Sequence, residues 1–190
     1  MKVLLTGCAG FIGSNLLNHM LKNNFKVIGV DNLSSGKTEH IDEHSNNPNF
    51  VFHNIDLKDK EKLNSINCQA VDLVVHLAAN ADVRFGLDHP SRDLEENTIV
   101  TFNVLELVRN NKIKKFAFSS TGSIYGEPDL IPTPEDAPFP IQTSLYGASK
   151  LACEGLIQAY AEGYGIRAFI FRFVSIMGPR YSHGHVYDFY

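Results

Sequence analysis

Short runs of apolar, β-branched and aromatic residues recur along the chain at Lys2–Thr6, Lys26–Asp31, Asn49–Asn54, Val71–Leu77, Lys115–Ser119 and Arg167–Phe171. Between them the apolar positions fall at helical spacing. Phe11, Leu16, Leu17, Met20 and Leu21 share one face of the first such segment. Ile99, Phe102, Leu105 and Val108 do so in the fourth, and Leu156, Ile157, Tyr160 and Ala161 in the fifth. Strands that are apolar nearly throughout, rather than at every second position, are covered on both faces, and intervening helices supply the cover. The pattern predicts an α/β fold built on a doubly wound parallel sheet.

One segment breaks the alternation. Tyr125–Thr143 contains Pro128, Pro132, Pro134, Pro138 and Pro140, a density that excludes helix and central strand. It lies between the fifth strand and the next helix, and a connection of that length is more often functional than idle. At the far end, Val186–Tyr190 reads as the opening of an amphipathic helix with no stop signal. The expectation is that the sequence is the front part of a longer protein.

Composition narrows the function classes. The 190 residues suffice for one domain with a sizeable core, and a hydrophobic fraction of 44% with 20% charged residues is that of an ordinary soluble protein. A net charge of −4 offers no basic footprint for nucleic acid. Met1–Thr6 runs directly into a glycine loop, which leaves no room for a signal peptide, and no apolar run is long enough for a bilayer. Cys8, Cys68 and Cys153 show no paired spacing, so free thiols in a reducing cytoplasm are expected. His183-Gly184-His185 has no third ligand spaced with it, and no metal is expected there. His76, ending a buried strand, reads as a hydrogen-bonded core residue.

Gly7-Cys8-Ala9-Gly10-Phe11-Ile12-Gly13 has the spacing GxxGxxG between the first strand and the first helix. Gly7 permits a tight turn, Gly10 lets backbone approach a pyrophosphate, and Gly13 lets helix and strand pack closely. Free N–H groups at the helix N-terminus, including those of Phe11 and Ile12, then favour phosphate. Asp31 at the end of the second strand completes this dinucleotide-binding (Rossmann) signature. Its carboxylate accepts hydrogen bonds from ribose hydroxyls and repels an added 2′-phosphate. It is followed by Asn32, Leu33, Ser34 and Ser35, with Lys37 the first cation, so NAD is expected over NADP. Asp56-Leu57, past the third strand, are placed to meet an adenine edge. Ala78-Ala79, past the fourth, are small where a cofactor must pass close to backbone.

Tyr146 and Lys150 stand four apart, on one face of a helix beginning near Thr143 or Ser144. A free phenol is a poor base at neutral pH. A neighbouring ammonium, together with a positive nicotinamide ring, is expected to favour the phenolate. Ser119-Ser120-Thr121 adds hydroxyls at the sheet edge, where ligands bind.

The stretches GCAGFIG, DNL, DL, HLAA, FSSTGSIYG, YGASK and RFVSIMGPR, in that order, resemble the extended short-chain dehydrogenases/reductases. The nearest group is the nucleotide-sugar epimerases and dehydratases, especially UDP-glucose 4-epimerase-like proteins. The resemblance covers essentially the whole chain. It implies Tyr146 as catalytic base, Lys150 as the residue holding the nicotinamide ribose, Thr121 as the catalytic hydroxyl, and Asn97 near the cofactor. Ser123, Ser175 and Arg180 fall at substrate-binding positions, although Ser175 replaces an Asn that the family commonly carries. The implied reaction takes a proton from a sugar hydroxyl while hydride passes to tightly held NAD, then returns hydride to the other face of the keto-sugar. The implied assembly is a homodimer formed through two helices from each subunit.

Dehydratases of the group carry an Asp-Glu pair after the catalytic Thr, and decarboxylases usually a Glu. This chain has Gly122 and Ser123, neither able to serve as a carboxylate acid or base. The expected activity is therefore NAD-dependent epimerisation of a nucleotide sugar, with UDP-sugar C4 epimerisation foremost. A 4,6-dehydratase or decarboxylase on the same scaffold, or a non-catalytic NAD-binding sensor or scaffold, are the alternatives. Residues 1–175 are expected to form the NAD-binding domain carrying Thr121, Tyr146 and Lys150, and residues 176–190 to begin a substrate-binding region.

Overall fold

The computed structural model describes residues 1–81, 86, 88–139 and 141–181. Six strands, β1 (Lys2–Thr6), β2 (Lys26–Asp31), β3 (Phe50–Asn54), β4 (Leu73–His76), β5 (Lys115–Thr121) and β6 (Arg167–Phe173), form one sheet in the order β3-β2-β1-β4-β5-β6. All five pairings are parallel, with Leu4 opposite both Ile28 and Val74 at the centre. This is the doubly wound order: β1 to β3 are laid down outward on one side and β4 to β6 outward on the other, so the winding reverses between β1 and β4. Ligands bind in the crevice at the carboxyl ends of those strands.

Helices α1 (Phe11–Lys22), α2 (Lys60–Asn64), α3 (Pro90–Asp93), α4 (Val100–Asn110) and α5 (Leu145–Tyr164) supply the crossovers. Side chains alternate across each strand, so the sheet has two cores. Leu4, Val74 and Phe116 pack with Val104 and Leu107 of α4 and Cys153 and Ile157 of α5. On the opposite face Val3, Leu5 and Val75 pack with Leu17, Met20 and Leu21 of α1. Each such large aliphatic or aromatic side chain contributes about 1.5–3 kcal/mol on burial. The three cysteines are free and buried within these layers.

The predicted strands are all present, with shifted ends: β4 is shorter at both ends, whereas β5 and β6 each run two residues further, to Thr121 and Phe173. The face assigned to α4 needs correction. Leu105 and Val108 are buried, but Ile99 is 41% exposed and Phe102 only half-buried, while Val100, Thr101, Val104 and Leu107 face the core. The expected positions stand three apart, and three residues at about 100° each fall about 60° short of a full turn, so the series drifts off the buried face toward its Ile99 end. A wide π-helical turn, Leu94–Ile99, joins α3 to α4.

Helix α5 begins where expected. Ser144 caps it, its Oγ accepting the Gly147 N–H at 2.9 Å, and Gly165 ends it in the left-handed conformation at φ +63°. The proline-rich segment is irregular after a short turn at Gly122–Tyr125. Beyond β6 the chain folds back onto α1. Asn15 donates to the Pro179 carbonyl at 2.9 Å, and Tyr181 meets Phe11 edge-to-face at 5.3 Å. Of the region 176–190, only 176–181 lie among the described residues, so Val186–Tyr190, His183 and His185 fall outside them.

Candidate active site

The glycine loop is held by contacts that admit no side chain. Gly7 has φ +69°, and a Cβ there would stand 2.7 Å from the Ala78 nitrogen. A Cβ on Gly13 would stand 1.9 Å from the Gly7 carbonyl oxygen. Gly10 lies at the N-cap of α1 with no side chain over the first-turn N–H groups, which therefore face the cleft. A methyl group on Gly7 or Gly13 would thus displace the backbone that shapes the loop.

Around it opens a cavity of about 250 Å³. The structure brings Gly7, Gly10, Phe11, Ile12, Gly13, Asp31, Asn32, Asp56, Leu57, Ala78 and Ala79 together in its wall. It adds residues that sequence reasoning missed: Ser34, Ser35, Ile55, Leu77, Ala81, Glu96, Val100 and Ser119. Most of these directly follow a strand or neighbour a selected residue; Glu96 and Val100 come from the π-turn and carry no such signal. Asn97, Tyr146 and Lys150 stand apart from this wall and belong to the adjoining polar cluster.

Asp31 is tied to the loop as well as facing the cavity. One carboxylate oxygen accepts the Ala9 N–H at 2.9 Å and the other the Leu33 N–H at 2.8 Å. The far rim is fixed by Asn103, whose Nδ2 donates to the Leu57 carbonyl at 3.0 Å, and by Lys58, 2.6 Å from Glu96. The hydrogen bond to Glu96 is the main reason the Lys58 ammonium is held above its ordinary pKa.

At the carboxyl end of β5, Thr121 and Tyr146 meet. Burial is the largest influence on Tyr146 and pushes its phenol above the usual value, while the Thr121 hydroxyl pulls it down. Lys150 is fully buried, donates to the Ser119 carbonyl at 2.9 Å, and lies 4.7 Å from the centroid of the Phe118 ring. Burial presses its pKa down to about 8. The expected lowering of the tyrosine by its helical neighbour is thus replaced in the chain itself by a hydroxyl from β5. The lysine is aimed at the strand end instead.

Behind the pair runs a buried network. Asn97 Nδ2 donates to Ser149 Oγ at 2.9 Å, and Ser149 Oγ donates to the Tyr146 carbonyl at 2.8 Å. Asn97 Oδ1 accepts the Asn80 N–H at 2.8 Å, and Asp93 accepts from Asn80 Nδ2 at 2.8 Å. Asn97 therefore braces the first turn of α5. His76 is a core residue, as expected. Thr6 Oγ1 accepts the Leu77 and Ala78 N–H groups, which leaves its proton for His76 Nδ1 at 2.7 Å and the Nε2–H for Thr101 at 3.1 Å. Burial drives its pKa down to about 3.

Ser123 shares a 3.1 Å hydrogen bond with Thr121. Ser175 is exposed beyond β6, apart from this pair. Arg180 pairs with Glu43 at 3.0 Å, the surface ion pair that competes with a phosphate role; its Nη1 is buried and has no hydrogen-bond partner among the described residues. Among those residues no group of three His, Cys, Asp or Glu could hold a metal, and no helix is long and apolar enough to cross a membrane.

Comparison with known proteins follows the same lines. The chain is 39% identical over 180 residues to a putative UDP-glucose 4-epimerase of Methanocaldococcus jannaschii, covering 94% of this chain and 57% of that protein. A crystal structure of a UDP-galactose 4-epimerase superposes with TM-score 0.89 at 40% identity, covering all of this chain and 61% of the other. The Thermotoga maritima UDP-glucose 4-epimerase solved with UDP-glucose gives TM-score 0.89 at 37% identity, covering 98% and 60%. The chain thus spans about three-fifths of the length of the relatives it matches. Residues 3–189 match the model of the NAD dependent epimerase/dehydratase family, and the chain belongs to that family.

Proposed function

We propose that this chain is the cofactor-binding portion of an NAD-dependent nucleotide-sugar epimerase that interconverts a UDP-sugar at C4 through a transient 4-keto sugar. The observation that carries the reading is the Thr121–Tyr146 pair beside a cleft walled by the glycine cradle and Asp31. The residues fit the dinucleotide: the cradle takes the pyrophosphate, Asp31 the adenosine ribose, and Asp56-Leu57 the adenine edge. When bound, NAD supplies the hydride acceptor and donor.

The chain's own residues do the rest. Thr121 aligns the sugar hydroxyl with Tyr146, whose phenolate takes the hydroxyl proton as general base and, as the phenol, later returns it. Lys150, beside the Ser119 carbonyl, holds the nicotinamide ribose, and Asn97 and Ser149 fix the helix turn carrying the tyrosine. Gly122 and Ser123 supply no carboxylate for elimination, which favours epimerisation over dehydration or decarboxylation. Residues 1–175 form the NAD-binding domain, and 176–190 begin the substrate-binding region, to which Ser175 and Arg180 contribute.

The same reading makes the protein a cytoplasmic homodimer. The three free cysteines suit a reducing compartment. Ile99, Phe102, Tyr160 and Tyr164 present an outward aromatic and aliphatic stripe on α4 and α5, with Tyr164 49% exposed.

The test supplies the full-length gene product with NAD and a panel of UDP-, dTDP-, GDP- and CDP-sugars, followed by mass spectrometry and proton NMR. A new isomer of unchanged mass establishes epimerisation and names the sugar. A product lighter by one water overturns it in favour of dehydration.

A further inference from the structure

A second chemically loaded cluster adjoins Thr121 along β5 but lies outside the wall of the cleft. Glu154, on the buried face of α5, is 1% exposed. Arg172 of β6 holds it in a two-pronged pair, Nε 3.2 Å from Oε1 and Nη2 2.9 Å from Oε2. Ser120 donates a further hydrogen bond to the same carboxylate.

The guanidinium does not stop there. Its Nη1 donates to the Tyr125 hydroxyl and, at 2.7 Å, to the Glu135 carbonyl in the proline-rich loop. The cation lies over the Tyr125 ring at 5.1 Å and the Phe139 ring at 5.3 Å. Tyr125 itself donates to the Glu135 carbonyl at 3.0 Å. One side chain therefore joins β6, α5, the end of β5, the Gly122–Tyr125 turn and the loop.

We propose that Arg172 is a positioning residue: it latches the proline-rich loop against the Thr121 end of the site and sets that strand end against the helix carrying Tyr146. The structure gives it the means. Ser120 adjoins Thr121 on β5, and Glu154 stands about two helical turns beyond Tyr146 on α5, so the Ser120–Glu154–Arg172 chain fixes the distance between the two reactive hydroxyls. Among its described residues the loop has no helix or strand of its own between Tyr125 and Leu145. Its order rests on this guanidinium and on Gln142, whose Nε2 donates to the Ile124 carbonyl at 2.7 Å. Only a planar fork satisfies a carboxylate, a hydroxyl and a carbonyl while stacked between two rings; an ammonium does not.

The catalytic consequence rests on the epimerase reading above; the latch itself does not. Removing the charge outright would strand a buried carboxylate, so the informative variant is Arg172→Lys, which keeps a cation for Glu154 and loses the fork. Tyr125→Phe is the companion, since it removes only the shared hydroxyl. The measurement is amide hydrogen exchange of the full-length protein, with NAD affinity by calorimetry and steady-state kinetics on the sugar nucleotide that the panel identifies. In Arg172→Lys, exchange across residues 126–139 should rise about tenfold while β1, β2 and β4 stay protected. kcat should fall about tenfold with KM less affected, and NAD affinity should hold, because Arg172 is not in the wall of the cleft. Tyr125→Phe should move the same amides in the same direction. Unchanged exchange in 126–139, or a rise spread evenly over the sheet, would overturn the latch. If the loop loosens but the parent protein turns over no sugar nucleotide, the latch stands and the epimerase reading falls.

Discussion

The carboxylate of Asp31 accepts the backbone N–H of Ala9 at 2.9 Å, which fastens the end of β2 to the middle of the glycine loop. The residue expected to choose the cofactor is therefore also a strut of the loop that cradles it. Asp31→Ala removes both roles. NAD binding should weaken roughly 10- to 100-fold, the scale of a lost pair of charge-assisted hydrogen bonds, and the preference for NAD over NADP should shrink. Calorimetric titration with each nucleotide decides it; an unchanged preference would remove Asp31 from ribose recognition.

Tyr146→Phe keeps the ring and removes the proton. In the full-length protein it should lower kcat by about 100- to 10,000-fold and leave NAD affinity intact. A protein that retained turnover would place the base elsewhere. Thr121→Val should raise the phenol's pKa further, because the Thr121 hydroxyl pulls it down. That shift is readable as an upward move of the ascending, acidic-limb pKa in the pH profile, since a general base acts only once deprotonated.

Two buried bases make stability climb with pH in separate windows. His76 is held neutral down to about pH 3, whereas the unfolded chain takes up that proton near 6.5. Lys150 gives up its proton near 8, and the unfolded chain keeps it to about 10.5. In each window the unfolded state binds more protons, so unfolding free energy rises with pH, by at most about 1.4 kcal/mol per unit per group. The urea midpoint should rise from pH 5 to pH 7; above pH 8 the Lys150 gain is opposed by the buried Cys8, Cys68 and Cys153 thiols, which burial keeps protonated after the unfolded chain has lost those protons. His76→Gln should flatten the acidic window and Lys150→Met the alkaline one; parallel curves for parent and variants would refute the assignment.

Phe102 stands on the outward stripe of α4, 6.5 Å from the Tyr160 ring. A glutamate there is expected to convert a dimer to monomers in sedimentation velocity while the thermal midpoint of the fold changes little. A dimer that persisted would locate the interface on another face.

The parts legible in the sequence were those whose chemistry is local. Glycines at 7, 10 and 13 announce a tight loop, which the structure bears out with no room for a side chain at Gly7 or Gly13, and Asp31 follows at a strand end. The proline density announces an irregular loop, and Ser144 marks the start of α5. What escaped depended on partners distant along the chain. The spacing of Tyr146 and Lys150 could not show that the ammonium turns to the Ser119 carbonyl, because the register of β5 sets that. Glu154 and Arg172 lie on different elements, and a carboxylate on the buried face of α5 was the only hint of their pairing. The shared face drawn through Ile99, Phe102, Leu105 and Val108 failed because an unbroken spacing of three drifts about 60° per step around a helix, so its Ile99 end leaves the buried stripe.

The wide turn before α4, Leu94–Ile99, acts as a rotary offset. Each residue advances a helix by about 100°, so deleting one within the turn would roll α4 by that angle. The roll would drive Phe102 inward against the sheet and swing Leu107 out to solvent. A single wide turn thus decides which stripe of α4 belongs to the molecule's interior and which is free to meet another surface. It does so while keeping Asn97 aimed at the turn of α5 that carries Tyr146.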